Sequence, residues 1–269
     1  MIPFTKAHAC GNDFLIVEER HVGEAALRET AQRLCGRNTG VGADGVEYFE
    51  WTGERSGRIT LYNADGSVAE ISGNGTRCVA AWMAHEVGAK AGDVLTIETE
   101  AGVRECSIIK ATGARYEIAS RMGVPQVEAG SVTVSIGGEV EGAVVSTGNP
   151  HFVIFVDNAE FVTHGRTWQE LGSEICHHVD FPRQTNVEFV RMIHPGEIEI
   201  RIFERGVGPT TSSGTGTCAT SAASMVLRGA DRKLSVRAPG GTQQVEWADA
   251  EQEILLTGPA ELIAQGEAW

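Results

Sequence analysis

The chain has 269 residues, 36 acidic and 22 basic side chains, and a formal net charge of −14. That balance argues against nucleic acid and anionic membrane surfaces as partners, and no apolar run is long enough to span a bilayer. The six cysteines (Cys10, Cys35, Cys78, Cys106, Cys176 and Cys218) form no C-x-x-C pair and no zinc-like pairing with histidine, so they read as mostly buried thiols, with no metal site.

The opening residues Met1 to His8 lack the basic region and apolar core of a signal peptide, which makes the cytoplasm the expected compartment. Phe4 to Glu18 reads as a strand pair interrupted at Ala9-Cys10-Gly11-Asn12-Asp13. A helix is expected over Glu24 to Cys35, stopped by Gly36, and Thr39 to Gly45 is too rich in glycine for a regular element. Ile59 to Tyr62 reads as a strand ending in the turn residues Asn63-Ala64-Asp65-Gly66-Ser67. Residues 89 to 125 alternate loosely as further strands, and a second run of strand signals starts near Thr133. Asn149 precedes Pro150 and is held extended by it, an arrangement that aims a side chain out of a sheet end. A short helix is expected over Trp168 to Cys176, a strand after Asn186, and a hairpin across Pro239-Gly240-Gly241. A last alternating stretch covers Ala260 to Ala264.

One pattern occurs twice. Ser72-Gly73-Asn74-Gly75-Thr76 follows a strand and opens a helix that Gly88 stops. Ser213-Gly214-Thr215-Gly216-Thr217 follows the strand Ile198 to Ile202 and opens a helix that Gly229 stops. A glycine-rich turn at a helix start presents backbone N–H groups to an anion. Glycines that only turn and serines that only cap would explain one copy. Two copies in matching context favour a pair of turns that hold one substrate. The repeat also implies two halves, with a boundary near residue 115.

These blocks resemble the diaminopimelate epimerase family, pyridoxal-independent amino-acid epimerases, along the whole chain. The resemblance rests on Asn63-x-Asp65-Gly66-Ser67, Gly73-Asn74-Gly75-x-Arg77, Gly11-Asn12-Asp13-Phe14, Gly148-Asn149-Pro150-His151, Thr185-Asn186 and Glu204-Arg205-Gly206. It implies an α/β (α+β) fold of two pseudo-symmetric halves, each a twisted sheet wrapped around a central helix. Residues 1–115 with 260–269 would form the first half and 116–259 the second, with the active site in the cleft between them. It implies substrate binding by Asn12, Asn63, Asn149, Asn186, Glu204 and Arg205, whose amides, guanidinium and carboxylate suit the non-reacting end of a bis-amino-acid. Gly73, Asn74, Gly214 and Thr215 would hold the carboxylate at the reacting carbon, where helix N-termini stabilise the charge that develops on α-proton removal. The implied reaction interconverts LL- and meso-diaminopimelate without cofactor or metal, in lysine and cell-wall precursor synthesis. The only partner implied is a small amino-acid substrate, and a homodimer is one possible assembly.

The family's two proton-transferring cysteines stand immediately before Gly-Asn-Gly and Gly-Thr-Gly. Here both positions are serine, Ser72 and Ser213. A thiol ionises near neutral pH with modest help, whereas a serine hydroxyl needs a neighbouring base, and none is apparent in the sequence beside either serine. Three readings stay open: an epimerase, natural or with designed Cys→Ser changes, in which Ser72 and Ser213 replace the thiols; a related isomerase or dehydratase using His151 or Glu204; and a catalytically silent amino-acid-binding paralogue. Cys78 and Cys218, one turn or more into each helix, read as buried packing residues.

Overall fold

The computed structural model describes residues 1–69, 72–136 and 138–269. Two compact units emerge, Met1–Arg121 with Thr257–Trp269, and Met122–Leu256. In the first, β1 (Ile2–Ala9) and β2 (Asn12–Glu18) form an antiparallel hairpin. Its turn, Cys10-Gly11, has both residues at positive φ, 51° and 81°. Helix α1 (Leu27–Cys35) leads into β3 (Gly45–Gly53), which lies parallel to β2. Strand β4 (Ser56–Asn63) returns antiparallel to β3, and the short β5 (Val68–Ala69) pairs with β4. Helix α2 (Gly73–Val87) then crosses to β6 (Val94–Thr99), parallel to β4, and β7 (Gly102–Thr112) and β8 (Arg115–Arg121) complete a meander.

The second unit repeats this order of elements. Strands β9 (Gln126–Val134), β10 (Gly138–Ser146) and β11 (Pro150–Phe155) run antiparallel to one another in sequence. Helix α3 (Trp168–Cys176) leads into β12 (Asn186–His194), parallel to β11. Strand β13 (Glu197–Glu204) is followed by β14 (Gly208–Thr210), the helix α4 (Gly214–Leu227), and the β15 (Lys233–Ala238) and β16 (Gly241–Glu246) hairpin. The final strand β17 (Leu255–Ala268) pairs antiparallel with β1 and also with β8.

Each unit packs its strands around one buried helix. Every residue of α2 from Gly73 to Ala84 is buried, as are Gly214 to Met225 of α4. A helix buried on all sides is mostly small or apolar, and the polar exceptions in α2, Asn74 and Arg77, bond to each other. In α2, Val79, Ala80, Trp82 and Met83 meet Phe14, Ile16, Phe49 and Leu95. The Phe49 and Trp82 rings meet edge to face with centroids 4.8 Å apart, an arrangement worth about 1 kcal/mol beyond burial. In α4 the buried hydroxyls find partners within the helix: Thr220, Ser221 and Ser224 donate to the carbonyls of Gly216, Thr217 and Thr220 at 2.7–2.9 Å. Helix α1 covers the other face of β2 and β3, with Leu27, Ala31 and Leu34 against Leu15, Val46 and Tyr48. Strands covered on both faces read as near-continuous buried runs, as at 14–17 and at 45–49, the second interrupted by Glu47.

Four boundaries differ from expectation. Glu24–Ala26 is a 3₁₀ turn ahead of α1, because Ala26 offers no side chain to cap the helix start. Strand β9 begins at Gln126, seven residues before Thr133, and its early residues are mostly exposed and polar, so no apolar alternation marks it. Strand β8 extends the first unit to Arg121 rather than 115, and β17 starts at Leu255 rather than 260. Both are held by strand pairing, which composition does not reveal.

Candidate active site

In the first unit the starts of β2 and β3, the end of β4 and the start of α2 meet at one end of the strand set, since β2 and β3 run parallel and β4 opposes them. Ser72 is extended (φ −124°, ψ 117°) and caps α2: its Oγ accepts from the Gly75 N–H at 3.0 Å. Thr76 bonds back to the Ser72 carbonyl through both its N–H and its hydroxyl, each at 2.8 Å. Asn74 Nδ2 donates to Asn12 Oδ1 at 3.1 Å, and Arg77 Nη2 to Asn74 Oδ1 at 2.5 Å. Asn12 Nδ2 in turn donates to Asp44 Oδ2 at 2.7 Å. The structure thus joins Asn12 and Asn74, two of the expected residues. Asn63 stays within its own turn, donating from Nδ2 to Ser67 Oγ at 3.0 Å.

The glycine-rich segment 39–45 supplies Asp44 to this network and closes it with charge. Arg37 Nη2 reaches Asp13 Oδ1 at 2.8 Å and Asp44 Oδ1 at 2.7 Å, and Lys6 Nζ lies 2.9 Å from Asp13 Oδ2. Burial opposes the charge on Asp13, but the bonds from Arg37 and Lys6 prevail and hold its carboxyl below the usual range.

The second unit carries the same construction with different atoms. Ser213 caps α4, its Oγ accepting from the Gly216 N–H at 3.2 Å, and Thr217 bonds to the Ser213 carbonyl at 2.7 Å and 3.0 Å. Asn149 Nδ2 donates to Thr215 Oγ1 at 3.3 Å, the counterpart of the Asn12–Asn74 contact. Asn149 Oδ1 faces His151 Nε2 at 2.9 Å, and His151 Nδ1 faces Glu188 Oε1 at 2.8 Å. Because Asn149 Oδ1 only accepts, Nε2 carries a hydrogen, and the contact between Nδ1 and Glu188 holds one further proton. His151 and Glu188 are wholly buried, so this pair is sealed from solvent. Asn186 Oδ1 accepts the Arg205 N–H at 2.9 Å while its Nδ2 donates to the Pro150 carbonyl at 3.0 Å, which fastens β11, β12 and the β13 end together. Arg205 Nη1 donates to the Arg183 carbonyl at 3.3 Å. Glu204 ends β13 opposite Gly208.

The sequence reading missed two buried carboxyl groups. A β-carbon built on Gly75 would lie 1.9 Å from Glu47 Oε1 and 3.2 Å from Ser72 Cβ. On Gly216 it would lie 2.8 Å from Glu188 Oε1 and 3.3 Å from Ser213 Oγ. Each serine-led turn therefore has a glutamate against its second glycine, supplied by β3 or β12. Glu47 is wholly buried, both its oxygens lack hydrogen-bond partners among the described residues, and burial pushes its carboxyl up to about 8. A glutamate amid the apolar runs Gly45 to Phe49 and Asn186 to Val190 was the available signal.

The cysteines do not replace the missing thiols. None of the six forms a disulfide, and all are buried. Burial pushes the Cys78 thiol far above its ordinary range, and Cys106 to about 11. Among the described residues no cluster of His, Cys, Asp and Glu is placed to hold a metal ion, and no helix is long and apolar enough to cross a membrane.

The family model for diaminopimelate epimerase matches residues 4–128 and 143–263. Diaminopimelate epimerase 1 of Nostoc sp. is 35% identical over 285 residues, covering 99% of this chain and 99% of the relative. Diaminopimelate epimerase of Desulforudis audaxviator is 37% identical, with 98% of each chain covered. A crystal structure of a Bacillus anthracis phenazine biosynthesis protein of the PhzF family superposes with a TM-score of 0.75 at 19% identity, covering 100% of this chain and 99% of that one. At that identity the likeness concerns the fold alone.

Proposed function

The chain belongs to the diaminopimelate epimerase family, and on that premise we propose that it interconverts LL- and meso-2,6-diaminopimelate by removing an α-proton and returning one to the opposite face. The observation that carries the reading is the doubled turn. Each Ser-Gly-x-Gly-Thr opens a buried helix, and each is braced by an asparagine from a neighbouring strand start, Asn12 on Asn74 and Asn149 on Thr215.

The chemistry follows from those parts. Removing a proton α to a carboxylate leaves negative charge that spreads onto the carboxylate oxygens. Helix N-termini favour charge there, and fixed amides need no reorganisation as it forms. Gly73 with Asn74, and Gly214 with Thr215, supply these dipoles. Ser72 and Ser213 occupy the proton-transfer positions. Asn63, Asn186, Glu204 and Arg205 are assigned to the distal ammonium and carboxylate, which bind the substrate without entering the reaction.

One observation favours the silent-binder alternative: both serine hydroxyls are engaged as helix caps, a role that needs no chemistry. Chiral chromatography separates the two. An epimerase converges on one mixture of LL and meso isomers from either pure starting isomer. A binding protein shows heat of binding in titration calorimetry while the starting isomer stays unchanged, and that result would retire the epimerase reading.

A further inference from the structure

We propose that Glu47 is the positioning residue for Ser72, its carboxyl group holding and returning the proton that the serine hydroxyl exchanges with substrate. The inference rests on the epimerase reading and addresses what that reading leaves open, namely how a serine does the work of a thiol.

Three observations converge on it. Glu47 and Ser72 flank the same point, the place a β-carbon on Gly75 would occupy, at 1.9 Å from the carboxyl oxygen and 3.2 Å from Ser72 Cβ. Among the described residues neither carboxyl oxygen of Glu47 has a hydrogen-bond partner, although the side chain is wholly buried. A buried carboxyl group without partners keeps its full desolvation penalty, and native proteins carry few such groups without a reason. Finally, the second turn is built the same way, with Glu188 Oε1 against Gly216 beside Ser213. There Glu188 Oε1 meets His151 Nδ1 at 2.8 Å and only Oε2 lacks a partner among the described residues, so the carboxyl group with both oxygens unpartnered is the one on the Ser72 side.

The step balances without any further reagent. In the removing direction Ser72 Oγ takes the substrate α-proton as its own hydroxyl proton passes to the Glu47 carboxylate. The C–H electron pair stays on the substrate as the enolate-like carbanion. In the returning direction neutral Glu47 gives its proton to Ser72 Oγ while the hydroxyl proton passes to the α-carbon. Serine is a neutral hydroxyl before and after, so no free alkoxide forms. Burial stabilises the neutral acid over the carboxylate, which makes the carboxylate a willing acceptor once formed. In the structure Ser72 Oγ is turned to the Gly75 N–H, and exchange with Glu47 requires it to rotate about its Cα–Cβ bond, as catalytic bonds commonly tighten only with substrate bound.

A double-mutant cycle tests this with purified full-length protein and diaminopimelate. A thiol at position 72 ionises by itself, so Glu47 should matter only when serine stands there. Glu47→Gln is expected to lower kcat by at least about 100-fold with Ser72, and by less than about threefold in the Ser72→Cys background, with KM held within about twofold. Glu47→Asp, which withdraws the carboxyl by one methylene, should show the same selectivity and serves if the glutamine variant fails to fold. Equal losses in both backgrounds would mean a purely structural glutamate and overturn the proposal, as would full activity of Glu47→Gln with Ser72. If neither the Ser72 form nor the Ser72→Cys form turns over diaminopimelate, the epimerase reading itself falls, a different result from either of these.

Discussion

Glu47 Oε1 occupies space that a β-carbon on Gly75 would need, the two positions lying 1.9 Å apart. Alanine is the better helix former by about 1 kcal/mol, so any loss on Gly75→Ala must come from this overlap. We expect Gly75→Ala to cost about 1–3 kcal/mol in urea denaturation. In a Glu47→Ala background, where the space is vacated, the same change should cost under about 0.5 kcal/mol. Equal costs in both backgrounds would show that the carboxyl is not what excludes a side chain at 75.

Stability should fall as pH rises through neutrality. The Glu47 carboxyl is pushed from 4.5 to about 8 by burial, so the folded state binds its proton more tightly than the unfolded chain. Its contribution is fully present below pH 4.5 and is lost progressively as pH rises to about 8. Unfolding free energies from urea denaturation of the wild type and Glu47→Gln, compared at pH 5, 7 and 8.5, should diverge by about a few kcal/mol against the wild type. A difference that stays constant across that range would contradict the assignment.

The two serines have a structural as well as a chemical part. Ser213→Ala removes the acceptor of the Gly216 N–H and should cost about 1 kcal/mol, and Ser72→Ala the same through Gly75. Both should abolish epimerisation. Ser→Asp at either position restores a cap without a hydroxyl, and should recover stability while leaving activity absent. Recovery of activity with the aspartates would show that a carboxylate serves as the base there and that the hydroxyl is not required.

Cys78 and Cys218 are buried within the second turns of α2 and α4. Cys78→Ala and Cys218→Ala are expected to keep epimerisation, at a stability cost near 1 kcal/mol each. Ellman's reagent should find no reactive thiol in the native protein and six after denaturation, since all six cysteines are buried and none forms a disulfide. A fast-reacting native thiol would contradict this.

The doubled Ser-Gly-x-Gly-Thr turn, its helices and its glycine stops were legible because they depend on local chemistry: Gly88 does adopt the left-handed cap, at φ 68°. The capping box that starts α3, Thr167 with Glu170, is legible for the same reason. What escaped was tertiary. Glu47 lies 25 positions before Ser72, and only the parallel pairing of β2 with β3 carries it beneath α2. His151 faces Glu188 because β11 and β12 lie side by side in parallel, a relation no spacing announces. Strand β9 escaped for a different reason: an exposed strand carries polar residues on its open positions, so its start has no apolar period.

The most direct test of two-sided proton transfer through Ser72 and Ser213 is hydrogen exchange at the substrate. LL-diaminopimelate incubated with the protein in D₂O, followed by mass spectrometry and NMR, should yield meso product carrying a single deuterium at the inverted α-carbon, and none with Ser72→Ala or Ser213→Ala. Unlabelled LL isomer recovered unchanged at saturating concentration, while Ser72→Cys with Ser213→Cys deuterates it, would contradict catalysis by the serines and leave a binding site without its bases.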